Sequence, residues 1–470
     1  MKLYNTLSRT IENFIPLDDH KVKMYTCGPT VYDYTHIGHM RKYYMDDILK
    51  HTLIYNGFSV NHVMNITDVG HLQSDGDEGE DKLEKGAKKF NKTVWEVAQF
   101  FTDYFNISMD SIGISKPTTV AKVTDNIPEM ISLIKKLEEK GHTYITDEAL
   151  YFDIKSFPAY GNLSRQKIDD KQTGVRDEVV VDEEKQHPAD FALWFFRKGR
   201  FADHVMHWDS PWGDGFPGWH IECSALGMKY LGETIDIHTG GVDHIPVHHE
   251  NEIAQSESIT GKPFVKYWVH HEHLMVEGEK MSKSLGNFVT KDTLKEKNIN
   301  PYALKLLFLQ THYRQQMNFT WEALSGAQKA LENLYENIRT LRSQTQRTML
   351  SEDKLEKIDQ FRSEFTENVS NDLQTPQAVA VMWQVVKSNI PSEDKLDLLY
   401  EFDHIFHLGL ADVTDIIIEE IPDEIKQLVK MREEVRKNKD FTQSDILRDE
   451  ILKKGFIVKD TPTGTEVKSK

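Results

Sequence analysis

Only two cysteines, Cys27 and Cys223, occur in 470 residues. A disulfide framework is thereby excluded, and a reducing compartment, the cytoplasm, is the expected setting. No apolar run is long enough to span a bilayer, and Met1-Lys-Leu-Tyr-Asn-Thr-Leu7 holds no apolar signal core, so no membrane partner is expected. Positive charge is scarce too: 57 Lys and Arg stand against 75 Asp and Glu, a net of −18. That balance argues against a nucleic-acid binder held by bulk charge, but not against one that meets RNA through a local patch. No internal repeat is evident. What is present is ordinary soluble composition, 39% hydrophobic and 28% charged, in a chain long enough for roughly two to four domains.

The chain is organised around Cys27-Gly-Pro-Thr-Val-Tyr-Asp-Tyr-Thr-His36-Ile-Gly-His39. Lys21-Val-Lys-Met-Tyr-Thr26 before it reads as a strand. After it, Met40, Tyr44 and Ile48 fall at helical spacing up to a stop at Asn56-Gly57. Phe58 to Ile66 is strand-like again and ends in Asn65-Ile-Thr67-Asp. Strand, tight loop, helix and strand open a nucleotide-binding, doubly wound α/β sheet of Rossmann type, in which the loop feeds a helix amino terminus suited to phosphate.

Further along, 74–81 is acidic and glycine-containing and reads as a surface loop rather than a calcium loop. Helices are expected over Trp95–Phe105 and Ile127–Lys140, and an inserted strand-and-loop module over Tyr144–Val181, within an insertion at about 95–200. Gly and Pro crowd before Trp219-His-Ile-Glu-Cys223, where a helix begins. Ile235-Asp-Ile-His238-Thr-Gly-Gly-Val-Asp243 is a short buried strand with a glycine turn, and His248-His-Glu-Asn-Glu252 opens another helix. Lys280-Met-Ser-Lys283-Ser is a basic, serine-rich loop. From about Asn300 the pattern turns almost wholly helical, with Leu324, Ala327, Leu331, Leu334, Ile338 and Leu341 forming a core stripe. The expected divisions are 1–290 for the catalytic fold, 291–320 for a connecting stem, 321–410 for an all-α bundle and 411–470 for a small C-terminal module. Residues 423–470 carry twelve Lys and Arg against ten Asp and Glu, net +2, in contrast to the chain as a whole.

Two chemistries suggest themselves. His248 and Glu252 are four apart and share one helix face, and with the two thiols they make a plausible zinc set. The residues alone leave this open, since lone cysteines are commonly small buried hydrophobes and His-x-x-x-Glu a surface pair. On that helix His249 and Glu250 are expected to face elsewhere. Separately, His36 and His39 at a helix start suit triphosphate oxygens, and Lys280 and Lys283 suit the charge that develops as pyrophosphate leaves.

His36-Ile-Gly-His39 followed by Lys280-Met-Ser-Lys283-Ser resembles the class I aminoacyl-tRNA synthetases. The stretches from Cys27, Asn65, Pro217-Gly-Trp219 and His248 resemble one family within that class, the cysteinyl-tRNA synthetases, essentially from end to end. The resemblance implies activation of L-cysteine by ATP, accompanied by Mg2+, and transfer to the 3′ end of tRNA(Cys). It implies one zinc ion at Cys27, Cys223, His248 and Glu252, a cysteine pocket lined by Thr67, Trp219 and His238, and ATP contacts at Thr30, His36, Gly38, His39, Gly240, Asp243 and Lys283. Catalytic roles fall to His36, His39, Lys280 and Lys283. A monomer is expected, with the C-terminal module reading the anticodon. Lys430, Arg432, Arg436, Lys437 and Lys439 are candidate phosphate contacts there, and Phe441 a stacking residue. Three places depart from the family pattern: Thr239 after His238, the acidic loop after Thr67-Asp, and a tail without the usual tryptophan. The rival readings are a ligase charging a small amino-sugar acceptor, a silent RNA-binding paralogue and a metallohydrolase.

Overall fold

A parallel sheet of five strands, numbered here in chain order, carries the site: β1 (Lys21–Thr26), β2 (Ser59–Ile66), β3 (Thr119–Lys122), β4 (Ile235–Gly241) and β5 (Val265–His271). The computed structural model describes residues 1–470 except 71, 73–80, 167–181, 283–284, 345–349, 415–421, 439, 462–463 and 470. The strands lie in the order β5-β4-β1-β2-β3. The chain runs outward one way from β1 to β3 and the other way from β4 to β5, so the order reverses between β1 and β4. Ligands of such sheets bind at the carboxyl ends of the strands that flank this reversal.

Helix α1 (Ile37–Tyr55) joins β1 to β2 and buries Met40, Tyr44 and Ile48, the stripe expected from the spacing. Asn56 caps it and Gly57 turns with φ +89°, a conformation open to glycine. Helices α2 (Trp219–Leu231) and α3 (His248–Thr260) flank β4 and pack on each other. Between β2 and β4 lie helices Val94–Ser111 and Ile127–Glu139. Also inserted there is an antiparallel sheet of Thr143–Ile145, Ala149–Phe152, Phe191–Phe196 and Gly215–Pro217 around Tyr151, Phe195, Phe201 and Phe216. Residues 167–181 of the expected strand-and-loop module and most of the acidic loop 74–81 lie outside the described residues.

Among the described residues from 300 to 412 the regular elements are helices with one exception. Met317–Phe319 forms a strand against Leu274–Val276, within the segment 291–320 expected as a stem. Helix Trp321–Ser343 buries all six residues of the expected stripe, and three helices follow, Glu352–Ser370, Thr375–Lys387 and Ser392–Phe406. Also unforeseen is a hairpin of Lys2–Asn5 and Thr10–Asn13, four residues a strand and too short to show a period.

Met1–Asp412 forms one compact unit and Val413–Lys470 a second. In the second, helices Asp423–Lys437 and Phe441–Lys453 pack together and a hairpin of Phe456–Thr461 and Gly464–Ser469 follows, with Ile425, Val429, Ile451 and Val458 as core. Here Arg432 is only 1% exposed. It follows Ile425 and Val429 at seven and three residues and so shares their inward face, which corrects its assignment as a phosphate contact. Lys430, Arg436, Lys437 and Phe441 are exposed, and Lys439 lies outside the described residues.

Candidate active site and metal centre

The loop after β1 is pinned at both of its neighbours. The Cys27 N–H donates to Thr239 O of β4 at 3.1 Å, while the Cys27 carbonyl accepts from Lys42 Nζ at 2.7 Å and Tyr43 Oη at 3.3 Å. Gly28 N donates to Asn65 Oδ1 at 2.7 Å, and a Cβ on Gly28 would lie 1.6 Å from Asn65 O. Only glycine allows this approach to the end of β2. Beyond it, Thr30 bridges Thr67.

His36 is the N-cap of α1: its ring accepts from Gly38 N at 3.1 Å, and its own N–H donates to His39 Nδ1 at 3.3 Å. The two imidazoles stack with centroids 3.8 Å apart, and a Cβ on Gly38 would meet the His36 ring at 2.9 Å. The His-x-Gly-His pattern is thus a capping device as well as a pair of donors beside a helix amino terminus. Phe288 packs edge-on to His36, and Ile37 N donates to Val289 O at 3.0 Å, which brings the end of the Lys280–Asn287 loop to this terminus. Lys280 is exposed, Asn287 fastens the loop base to Ser282 N and Lys280 O, and Lys283 lies outside the described residues. Arg41, which the sequence did not single out, fixes the neighbouring segments by donating to Glu272 O, His312 O and Gln315 O at 2.8–3.1 Å.

The four expected metal ligands converge. Gly218, whose Cβ would lie 1.9 Å from Ala192 O, presses the start of α2 onto the inserted sheet, and Cys223 follows one turn later. On α3, His248 and Glu252 face the same point. Cys27 Sγ and Cys223 Sγ are 3.9 Å apart. His248 Nε2 stands 3.4 Å from Cys223 Sγ and 3.0 Å from Glu252 Oε1, which is 4.0 Å from Cys27 Sγ. Donors about 2.0–2.3 Å from one zinc ion stand roughly 3.3–3.8 Å apart in a tetrahedron, so this set is close to closing around one ion. The charges agree. Burial pushes Glu252 up, but His238 and His248 hold it at about 2. Burial also pushes both thiols up. Even so, the hydrogen bond from Cys223 and the imidazoles of His249 and His238 hold Cys27 well below the thiol range. Cys223 is kept well above it by burial and by Cys27. Two sulfurs and a carboxylate at this spacing ionise together only around a cation.

A second set shares two of these groups: Cys27, His238, His249 and Glu252. His249, expected to face elsewhere, is fully buried with Nε2 3.3 Å from Cys27 Sγ and Nδ1 2.8 Å from His270 Nε2. The reason is that α3 is buried all round its first turns, so it has no outward face there. Glu250 does point away, accepting from Gly161 N and Ser164 N of the inserted module. Outer partners orient the first set: His220 Nδ1 meets His248 Nδ1 at 3.0 Å and His238 Nε2 meets Glu252 Oε2 at 2.8 Å.

Trp219 and His238 adjoin this point through His248 and Glu252, and Thr67 is linked to it through Asn65, whose Oδ1 lies 3.9 Å from Cys223 Sγ. Trp219 stacks on His248 with centroids 4.1 Å apart. The Thr67 hydroxyl accepts from Asn65 Nδ2 at 3.0 Å and donates to Glu222 Oε2 at 2.5 Å. Burial pushes the Glu222 carboxyl well above the carboxylate range. Asn65 and Glu222 lie inside the motifs quoted from the sequence, and only the fold gives them a task. Gly240 passes over His249, whose ring would lie 2.5 Å from a Cβ there, and Asp243 is exposed beyond it.

Residues 13–329 match the family of class I (C) tRNA synthetase catalytic domains, and residues 419–467 match the cysteinyl-tRNA ligase anticodon binding domain. The chain is 42% identical over 488 residues to the cysteine–tRNA ligase of Treponema denticola, covering 98% of each chain. It is 41% identical over 482 residues to that of Geobacillus thermodenitrificans, covering 100% of this chain and 99% of the relative. Among solved structures, methionyl-tRNA synthetase of Mycobacterium tuberculosis with methionyl-adenylate superposes with a TM-score of 0.57 at 14% identity, over 87% of this chain and 94% of that one. A LeuRS–tRNA–LeuAMS complex from Agrobacterium radiobacter K84 gives 0.59 at 14%, over 86% and 87%. These structural likenesses concern the fold.

Proposed function

The chain belongs to the class I cysteine–tRNA ligases, and from that premise we propose that Cys27, Cys223, His248 and Glu252 hold a zinc ion that selects the substrate thiol. Bound there, zinc supplies a soft Lewis acid that takes cysteine as its thiolate and gives serine no equivalent bond. An ordinary pocket separates such near-isosteres by only about 1–3 kcal/mol. The observation that carries the reading is the convergence of four donors, all within 4.8 Å of one another, from three separate segments of the chain.

The remaining residues position and stabilise. Thr67, held between Asn65 and the buried Glu222, offers a fixed hydroxyl to the amino acid, and Trp219 and His238 wall the pocket. The cysteine carboxylate attacks the α-phosphorus of ATP and the bond to the β-phosphate oxygen breaks, releasing pyrophosphate. His36 and His39 receive the phosphates at the amino terminus of α1, where the helix dipole favours negative charge. Thr30, Gly38, Gly240 and Asp243 hold the nucleotide, Mg2+ accompanies it, and Lys280 and Lys283 offset the charge that grows on the leaving group. A hydroxyl of the terminal adenosine of tRNA(Cys) then attacks the activated carbonyl, and AMP leaves. No protein nucleophile is required. In the same reading, 1–290 is the catalytic domain, 291–320 the stem, 321–410 the bundle and 411–470 the anticodon reader, and the enzyme acts as a cytoplasmic monomer. Both cysteines are free, in keeping with a reducing compartment, and no helix of the described residues is long and apolar enough to cross a membrane.

The test is charging of a tRNA transcript with a GCA anticodon, using labelled cysteine and, in parallel, serine. Cysteine alone should be charged, and stripping zinc should abolish it. Cysteine charging undiminished after complete removal of the metal would overturn the zinc assignment.

A further inference from the structure

Helix α1 and helix Val94–Ser111 border a cavity of about 210 Å³ over β2 and β3. Tyr43, Met64, Phe105, Met109, Ile114 and Val120 make its apolar walls, Asp46, Asp47 and His62 are its buried polar groups, and Asn106, Asp110, Ser115 and Lys116 also line it. Its carboxylates have cationic or imidazole partners, Asp110 with Lys116 at 3.5 Å among them. Asp46 pairs with Lys42 at 3.1 Å and His271 at 2.8 Å, and Asp47 with His51 and His407 at 3.3 Å each. His62 differs: it is 5% exposed, and its Nδ1 has no hydrogen-bond partner among the described residues.

The one hydrogen bond of the His62 ring leads away from the cavity. His62 Nε2 meets Thr26 Oγ1 at 2.9 Å, and Thr26 Oγ1 meets Thr239 Oγ1 at 3.0 Å. A hydroxyl can donate or accept, so Nε2 can donate to Thr26 while Thr26 donates to Thr239. In that tautomer Nδ1 is a lone pair that accepts. Burial, the largest influence on the ring, holds it neutral at about 4.

We propose that this cavity is a binding site for a flat, uncharged, largely apolar molecule bearing one N–H or O–H donor, of the indole or phenol class, which donates to His62 Nδ1. A cavity of about 150 Å³ is enough for benzene, so 210 Å³ suits a single or fused ring. An anion finds no donor on Nδ1, and a pure hydrocarbon leaves a buried acceptor unpaired. An occupant would touch Tyr43, whose hydroxyl donates to Cys27 O, and His62, bonded to Thr26, so it would sit one side chain from the Cys27 loop on two sides.

Calorimetric titration of the full chain with indole, and with indene as the same shape without the N–H, tests this. Indole should bind one to one and about tenfold tighter than indene. His62→Leu should erase that preference, and Met109→Trp should abolish binding of both by filling the cavity. Val120→Phe, at a half-exposed position, is the second filling variant should Met109→Trp unfold. No saturable binding at millimolar indole, equal affinity for indene, or unchanged binding in the filled variants would each overturn the proposal.

Discussion

Cys27 and Cys223 stand 196 residues apart in the chain, and their sulfur atoms lie 3.9 Å apart. One is set by the exit from β1 and the other by the first turn of α2, so the only two thiols of the protein meet at one buried point. Cys27→Ser and Cys223→Ser are each expected to lose the bound zinc and to lower cysteine-dependent pyrophosphate exchange by at least about 100-fold. Metal analysis beside the exchange assay checks both. Stoichiometric zinc with full activity in either variant would remove the thiols from the site.

The two overlapping donor sets make separable demands on neighbouring imidazoles. With His248 as the ligand, His248→Gln should release the metal, whereas His249→Gln should retain one equivalent and weaken it about 10–100-fold, as expected of an outer partner. Competition with a chromophoric chelator measures both. The reverse order of effects would assign the ion to Cys27, His238, His249 and Glu252.

Why one set was legible and the other was not is a matter of burial. His248 and Glu252 announced themselves by four-residue spacing, and the opening strand and α1 by turn residues and an apolar stripe. That logic gives each helix an outward face. Helix α3 buries its first nine residues, His248 to Ser256, so spacing had no exposed side on which to put His249. Arg432 differs for the opposite reason: a long charged residue reads as exposed, but its register with Ile425 and Val429 turns it inward. Asn65 and Glu222 depend on a hydrogen bond that joins β2 to α2 through Thr67. No local pattern encodes such a bond. The short Lys2–Asn5 hairpin and the strand Met317–Phe319 gain their partners from the fold rather than from any period.

Asp47 binds α1 to the end of helix Ser392–Phe406. It accepts from His51 and His407 at 3.3 Å and from Ser115. Burial alone would push this carboxyl up, but the hydrogen bonds from His407, His51 and Ser115 prevail and hold it well below the carboxylate range. A folded-state value below the unfolded one, about 3.9, stabilises the protein above that pH and loses the contribution as the pH falls below it. Asp47→Asn should therefore destabilise by about 2–4 kcal/mol at pH 7, with the gap to the wild type narrowing towards pH 3. Urea midpoints across that range check it. Parallel pH profiles would show that the charge of Asp47 carries no stability.

The second unit, Val413–Lys470, has its own core, and residues 419–467 match an anticodon binding family, whereas every residue proposed for adenylation lies in Met1–Asp412. Pyrophosphate exchange needs cysteine and ATP but no tRNA. A chain ending at Asp412 is therefore expected to keep exchange within about twofold of the full protein, since none of the proposed positioning groups is lost. Its charging efficiency should fall by at least about 100-fold, the equivalent of one or two lost stacking or base contacts at roughly 1–3 kcal/mol each. Exposed Phe441, 60% accessible, is the first residue to test within the unit, and Phe441→Ala should reproduce part of the loss with exchange unchanged. Running both assays on the same preparation separates the outcomes. If charging by 1–412 equalled that of the full chain, the terminal unit would have no part in reading tRNA. If exchange fell as far as charging, the unit would act on the catalytic fold itself rather than on the nucleic acid.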